Sequence, residues 1–272
     1  MKHNIKVIFV DIDCTIFDHS TPPSRFDMES IDALKEAQRN GIKVYLCTAR
    51  PYHSVKQIDL LDFFTPDGLI GANGGIVFAN DKIIYEPLVP TDIFESLCDI
   101  ANSFNVNVEG IRARDCFLIN DNLNSVKKLF ATYPEDIPNV EDYHNQKVIG
   151  ACLFAYKDLD EKIRPLLPKD FYYFRYHDHG VDVALIPHYK GDGVRIALRH
   201  LGFSKDEAMA IGDDDQDIDM FKEVKYSIAM GNAKENVKEA ATYITESVTN
   251  HGVKKVLEEY HLIWKTNYHY YS

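Results

Sequence analysis

The stretch Ile5-Lys-Val-Ile-Phe-Val10, followed at once by Asp11-Ile-Asp13-Cys14-Thr15, decides how the rest of the chain is read. A short apolar run that stops at acids reads as a buried strand. Two carboxylates one residue apart at the end of such a strand repel each other and are poorly solvated unless positive charge stands beside them. A divalent cation and a phosphate ester would meet that need. Open α/β sheets bind their ligands outside the carboxyl ends of their strands, so a strand running into DxDxT places its acids where chemistry occurs. The five-residue pattern alone suits a solvated turn equally well. The loops further along the chain separate the two readings.

Working outward, the spacing predicts a helix from about Ser30 to Asn40 closed by Gly41, then a second apolar strand, Ile42 to Cys47, running into Thr48-Ala49-Arg50-Pro51. This is a βαβ unit, and fully apolar strands in such units imply a parallel sheet covered on both faces. A third strand, Gly68 to Gly71, leads into Asn73-Gly74-Gly75, and Ile76 to Phe78 with Lys82 to Tyr85 reads as a hairpin about Asn80-Asp81. From about Pro87 the texture changes. A helix (Thr91 to Phe104), a helix near Asn124 to Phe130, a strand (Val148 to Ala155), a helix (Leu159 to Leu167) and strands at Phe171 to Tyr176 and Val181 to Ile186 form a mixed segment of about a hundred residues. The parallel texture then returns, with a helix from Gly191 to Leu201, strands Ala208 to Ile211 and Ser227 to Met230, and a last helix near Val253 to Tyr260. The expected fold is α/β: a Rossmann-like doubly wound parallel sheet core, residues 1–85 and 188–272, with an inserted α+β cap domain over 86–187.

Composition limits the function classes. The chain has 272 residues, 45% of them hydrophobic, enough for a sizeable core. A net charge of -12 and the lack of a Lys/Arg run argue against nucleic acid or an anionic membrane as partner. The five cysteines are odd in number, widely spaced and without a CxxC pair, so they read as free thiols in a reducing compartment. The apolar run at the N-terminus is too short for a signal sequence. A cytoplasmic monomer or homodimer acting on a small molecule is expected.

Four loops carry polar residues at strand ends or helix entrances. Asp11 is placed to attack phosphorus as a carboxylate nucleophile once cations offset its repulsion from the phosphate. Asp13, two residues on, can protonate the leaving alkoxide and later deprotonate the attacking water. Thr48 can hold phosphoryl oxygens with its hydroxyl, beside a backbone N–H. Lys190, in Tyr189-Lys190-Gly191-Asp-Gly193 at a helix start, can bridge Asp11 and a phosphate as a point charge. Gly212-Asp213-Asp214-Asp215-Gln216-Asp217-Ile-Asp219 sets five acids directly after an apolar strand, where they repel unless some ligate a hard cation through oxygen. The loop lacks the central Gly and terminal Glu of an EF-hand, and Mg2+ suits it better than Ca2+.

These residues resemble the haloacid dehalogenase (HAD) superfamily. DxDxT at 11–15, the Thr of CTARP at 48, the Lys of YKGDG at 190 and GDxxxD at 212–217, with its acids at 213 and 217, match its four motifs in order. The resemblance is closest to the Cof-like, type IIB branch, whose α+β cap lies between the second and third motifs. NGG at 73–75, GDxxxDxxM at 212–220 and AMGNAKENVKEAATYIT at 229–245 also resemble that branch. It implies Asp11 as nucleophile and metal ligand, and Asp13 as acid/base with its backbone carbonyl toward the metal. Thr48 and Lys190 are implied as phosphate holders, Asp213 as direct metal ligand, and Asp217 as an acid supporting the metal or Lys190. Ala49, Arg50, Asn73 and Gly74 are implied near the substrate phosphate. The implied cofactor is Mg2+ and the implied substrate a small phosphate monoester, sugar phosphates first. Cys14 departs from a usual Gly, Gln216 from a common Asn, and Ala49 stands where Gly is commoner.

The second Asp of DxDxT argues against dehalogenase chemistry, because ester cleavage needs a proton donor and carbon–halogen displacement does not. Phosphomutase-type transfer shares all the motifs and stays open, as does a non-catalytic phosphate-binding regulatory role. In the insertion, Glu109, Arg112 and Arg114, and Arg175, His177, Asp178, His179 and Asp182, form polar clusters able to bond sugar hydroxyls or to serve as solvated turns. Zinc at 177–179 lacks a third ligand in register. The aromatic tail Tyr260 to Tyr271 is expected to pack on its own domain or fray.

Overall fold

The structure, a computed structural model, describes residues 4–20, 22–132, 135–167, 172–184 and 189–264. The chain folds as two compact units, one of Met1–Ala49, Phe64–Ile84 and Tyr189–Ser272, the other of Arg50–Phe63 and Tyr85–His188.

The first unit is built on an eight-stranded sheet in the order Tyr243–Ile244, Tyr226–Ala229, Ala208–Gly212, Val7–Val10, Lys43–Cys47, Gly68–Gly71, Ile76–Ala79 and Lys82–Tyr85. The first six run parallel and Ile76–Ala79 turns back antiparallel. Val7–Val10 is buried throughout, as a central strand covered on both faces must be. Its register pairs Val10 with Ile211 on one side and Leu46 on the other, so three strands end at one level. That alignment brings Asp11, Thr48 and the loop after Gly212 to the same edge of the sheet. The helix Met28–Arg39 is capped by the Asp27 side chain, which accepts from the Ser30 N–H, and the chain turns away at Asn40 and Gly41. The expected hairpin turn is present, with Asn80 and Asp81 both at positive φ, as a two-residue turn of this type requires. A small hairpin, Phe17–Asp18 with Arg25–Phe26, was not expected from the sequence.

The second unit has a five-stranded antiparallel sheet ordered Tyr172–His177, Gly180–Ala184, Gly150–Phe154, Asn107–Ile111 and Cys116–Ile119. Its helix Thr91–Ser103 contributes Phe94, Leu97 and Ala101 to a core with Val108, Phe117, Ala151, Leu153, Val181 and Val183 from one face of the sheet. Alternate residues point to the opposite face. There Glu109 stands opposite Cys152, and Cys152 opposite Asp182, in one row across three strands. The expected helix Leu159–Leu167 is instead a succession of short turns, Lys157–Leu159, Asp160–Ile163 and Arg164–Leu166. Pro165 lacks the N–H that a continuous helix needs there. The segment after Thr48 also differs from expectation: Tyr52–Gln57 and Leu60–Phe63 are helical and group with the second unit. Phe171, Leu185 and Ile186, placed in strands by the sequence reading, lie outside the described residues.

Candidate active site

Asp11 is the first residue beyond Val7–Val10, and its N–H still bonds the carbonyl of Ile211 at 3.0 Å. The side chain is thereby fixed at the sheet edge and is 5% exposed. Lys190 opens the helix Lys190–Leu201 and is 2% exposed. Its Nζ donates to Asp11 Oδ1 at 2.8 Å and to Asp217 Oδ1 at 2.6 Å. The other Asp217 oxygen accepts the N–H groups of Asp213 and Asp214 at 2.8 and 3.0 Å, which shapes the loop after Gly212. Gly212 permits this closeness: a Cβ there would lie 2.3 Å from that oxygen. Thr15 Oγ1 donates to Asp213 Oδ1 at 3.2 Å and ties the first loop to the fourth.

Asp11, Asp213 and Asp217 each present an oxygen within 4.8 Å of the others. Three carboxylates against one ammonium leave an excess of negative charge in a buried place. Burial pushes the Asp11 carboxyl well above its ordinary range; Lys190 opposes this, and Asp217, Asp213 and Asp13 reinforce it. Asp213 is pushed up to about 7, first by burial and then by Asp217. Burial works against a charged Lys190, yet Asp11 and Asp217 hold its pKa well above the usual lysine value. An all-oxygen donor set with surplus negative charge fits a hard divalent cation. The acidic run itself divides. Asp213 and Asp217 turn inward, whereas Asp214 and Asp215 are exposed and paired with Lys234, and Asp219 is paired with Lys222.

Asp13 does not join the three-carboxylate group through its side chain. Its Oδ1 shares a 2.7 Å hydrogen bond with His19 Nε2, and His19 Nδ1 bonds Ser24 Oγ at 2.9 Å. Sequence reasoning missed His19, which reaches Asp13 only because the unexpected hairpin folds back. It also missed Asn232, whose Nδ2 donates to the Cys14 carbonyl at 2.9 Å while its Oδ1 accepts from the Val248 N–H. Cys14 sits at φ 55°, the left-handed region where a Gly is at ease. Burial, then Asp213, Asp13 and Asp11, push its thiol up to about 12, so it stays protonated.

Thr48 is buried, and its own N–H is taken by the Ile70 carbonyl at 2.9 Å. Its carbonyl accepts the Asn73 N–H at 3.1 Å, linking it to the turn Ala72–Gly74. Ala72, Asn73 and Gly74 all have positive φ, and a Cβ on Gly74 would stand 2.2 Å from the Tyr189 carbonyl oxygen, beside Lys190. The structure thus sets Asp11, Asp13, Thr48, Ala49, Asn73, Gly74, Lys190, Asp213 and Asp217 in the first unit. Arg50 belongs to the second unit, where its guanidinium meets Ser54 Oγ at 2.9 Å and Glu135 Oε1 at 2.6 Å.

The polar clusters of the second unit separate into two kinds. Arg112 pairs with Asp115 and Glu141 while lying over the Phe117 ring, and Arg175 holds Asp160 and two carbonyls, so both arginines brace the fold. Glu109 and Asp182 are instead held by thiols. Burial pushes Glu109 up to about 7, opposed by the Cys116 thiol and the nearby Cys152, and Asp182 up to about 6 against the bond from the Cys152 S–H at 3.0 Å. His53 is pushed down to about 4, chiefly by burial. The His177 and His179 rings lie 5.5 Å apart, tilted by 50°, without a third metal-binding neighbour among the described residues. In the aromatic tail, Tyr260 packs on Tyr226 and Tyr243, and Trp264 is 83% exposed; Tyr268, Tyr270 and Tyr271 lie outside the described residues. No helix among the described residues is long and apolar enough to cross a membrane.

The family model of haloacid dehalogenase-like hydrolases matches residues 8–257. A phosphoglycolate phosphatase from Saccharolobus solfataricus is 27% identical over 258 residues, covering 94% of this chain and 95% of the relative. A 5-amino-6-(5-phospho-D-ribitylamino)uracil phosphatase from Bacillus subtilis is 27% identical, with 94% and 96% covered. Among solved structures, a sugar phosphatase of HAD subclass IIB superposes with a TM-score of 0.75 at 27% identity, over 95% of this chain and 100% of that one. With the four loops gathered at one sheet edge and the match running almost from end to end, the chain belongs to the haloacid dehalogenase-like hydrolases, as a Cof-like phosphatase of that superfamily.

Proposed function

We propose that the protein hydrolyses small phosphate monoesters, sugar phosphates first, with Mg2+ and through a phosphoaspartate on Asp11. The observation that carries this reading is the buried arrangement in which Lys190 joins Asp11 to Asp217 while Asp213 faces the same space. In the first step an Asp11 carboxylate oxygen bonds to phosphorus and the bond to the ester oxygen breaks. Asp13 donates the proton that the leaving alkoxide needs, and its hydrogen bond to His19 holds the carboxyl in place between steps. In the second step water attacks the phosphoaspartate, Asp13 takes its proton, and inorganic phosphate leaves with Asp11 restored. Lys190 and the Thr48 hydroxyl hold the phosphoryl oxygens through both steps. Asp11 and Asp213 would hold Mg2+ with the Asp13 carbonyl, and Asp217 acts by positioning Lys190 and the backbone of the Asp213 loop. Bound there, Mg2+ supplies positive charge that offsets the carboxylates and the phosphate.

The substrate class rests on the relatives, whose names describe phosphatases of small esters, one of them a sugar phosphatase. The experiment is phosphate release from a panel of sugar phosphates, phosphoglycolate and nucleotides, with Mg2+ and with a chelator, beside Asp11→Asn. Release should need Mg2+, be greatest with sugar phosphates, and fall by at least about 10^4-fold in the variant. Turnover retained by Asp11→Asn would remove the phosphoaspartate route, and a preference for nucleotides would remove the substrate assignment.

A further inference from the structure

The second unit contains a group of donors that phosphoryl transfer does not use. His53 comes from the helix Tyr52–Gln57, Glu109 from the strand Asn107–Ile111 and Cys116 from the start of the strand Cys116–Ile119. Each offers a ligating atom within 4.8 Å of those of the other two. The Glu109 carboxylate accepts from the Cys116 thiol, and the Cys152 sulfur, whose own S–H goes to Asp182 at 3.0 Å, lies beside it, which gathers the acid and both sulfurs in one place. His53 is the member that hydrogen bonding does not explain. Its Nδ1 is buried without a hydrogen-bond partner, and its Nε2 stands 3.7 Å from Glu109 Oε1, beyond a good hydrogen bond. A half-buried imidazole with ligating atoms of a carboxylate and a thiol within 4.8 Å, and bonded to neither, is placed as a ligand is placed.

We propose that His53, Glu109 and Cys116 form a binding site for a transition metal of the zinc class. The donor set of nitrogen, oxygen and sulfur selects such a metal over Mg2+ or Ca2+, which take oxygen. Around a tetrahedral zinc with bonds of roughly 2.0–2.3 Å, neighbouring ligand atoms stand about 3.3–3.8 Å apart. The His53 to Glu109 separation of 3.7 Å is a few tenths of an ångström beyond the roughly 3.3–3.5 Å that a nitrogen–oxygen pair spans around zinc, and closing the whole group requires movements of about an ångström. Binding replaces the S–H···O bond between Cys116 and Glu109 by two metal bonds and releases the thiol proton to solvent. Three protein ligands leave a fourth position, open to water or to the Cys152 sulfur that already lies beside Glu109. The ion would fasten Tyr52–Gln57 to two strands of the sheet within the second unit. The inference is independent of the phosphatase reading, since none of the three residues takes part in phosphoryl transfer.

The test uses the full chain with Asp213→Asn, which weakens the cation site of the first unit. After loading with Zn2+ and desalting, about one equivalent should remain per chain, and it should be lost on adding either Cys116→Ser or His53→Gln to that background. Loading with Co2+ supplies a second readout, because a thiolate ligand gives a charge-transfer band that carboxylates do not. The band should survive Cys14→Ser and vanish in Cys116→Ser, with circular dichroism confirming that each variant is folded. No retained zinc in the folded Asp213→Asn chain, or retention indifferent to both substitutions, would overturn the proposal.

Discussion

The molecule buries acids in two places and treats them differently. In the first unit, Asp11 and Asp217 pair with the ammonium of Lys190, and Asp213 stands beside both acids. In the second, Glu109 and Asp182 lie in one row with Cys152, and the bonds that oppose their burial come from thiols. A thiol is a weak donor carrying no charge, so it offsets little of the cost of an ionised carboxylate. The first group is therefore arranged to hold charge, as the proposed cation site requires. The second group is arranged to keep its acids protonated to higher pH than ordinary carboxylates, Asp182 to about 6 and Glu109 to about 7.

Removing the cation from the first group breaks the comparison most severely. Lys190→Met keeps the length of the side chain and leaves Asp11 and Asp217 buried without a partner. Breaking such a pair costs about 3–5 kcal/mol at neutral pH, and phosphatase activity should be lost with it. The loss of stability should shrink toward pH 4, where protons replace the missing ammonium. Urea unfolding at pH 4.5 and pH 8, in chelator, would measure this. Equal losses at both values would mean that Lys190 contributes by packing and that the first group is not organised around its charge.

The second group should behave in the opposite sense. With Asp182 raised to about 6 in the folded protein, its neutral form is the one that folding favours. The associated stability is fully present below the ordinary carboxylate value near 4 and is lost as pH rises through about 6. Asp182→Asn keeps an acceptor for the Cys152 thiol and carries no charge at any pH. The variant should match the parent near pH 4 and exceed it at pH 8 by up to about 3 kcal/mol. The same urea series would read this, and a difference that stays flat with pH would place Asp182 in a better solvated setting than the fold indicates.

The contrast between the groups also explains what could be read from the sequence. Val7–Val10 and Ala208–Gly212 are apolar at every position and stop abruptly at acids, so both their burial and the edge carrying the site were legible. The ordered motifs extended that to Lys190 and Thr48. The row of Glu109, Cys152 and Asp182 was not legible, because it exists only once three strands lie in register. Cysteine also reads as one more apolar residue in a hydrophobic pattern. His53 was hidden for a related reason: the segment after Pro51 has no apolar period to announce a helix, and its helical turns form against the second unit. His19 depended on the small hairpin of Phe17–Asp18 with Arg25–Phe26, whose two-residue strands are too short to leave a pattern.

The smallest expected effect concerns the backbone that concentrates the first group. Cys14, between Asp13 and Thr15, adopts φ 55°, and its carbonyl is held by Asn232. A side chain in that region costs about 1–2 kcal/mol relative to the ordinary helical conformation. Glycine removes that strain while giving the unfolded chain about 0.5–1 kcal/mol more freedom. Cys14→Gly should therefore stabilise the protein by at most about 1.5 kcal/mol, with little change in kcat, since a thiol whose pKa is raised to about 12 adds no charge to the site. A gain within that bound would place strain in the loop that carries Asp11 and Asp13, a feature for which the Glu109 row, set in regular strands, has no counterpart. A fall in the urea midpoint would mean that packing of the Cys14 side chain outweighs the strain, and the loop would then be as relaxed as the strands of the second unit.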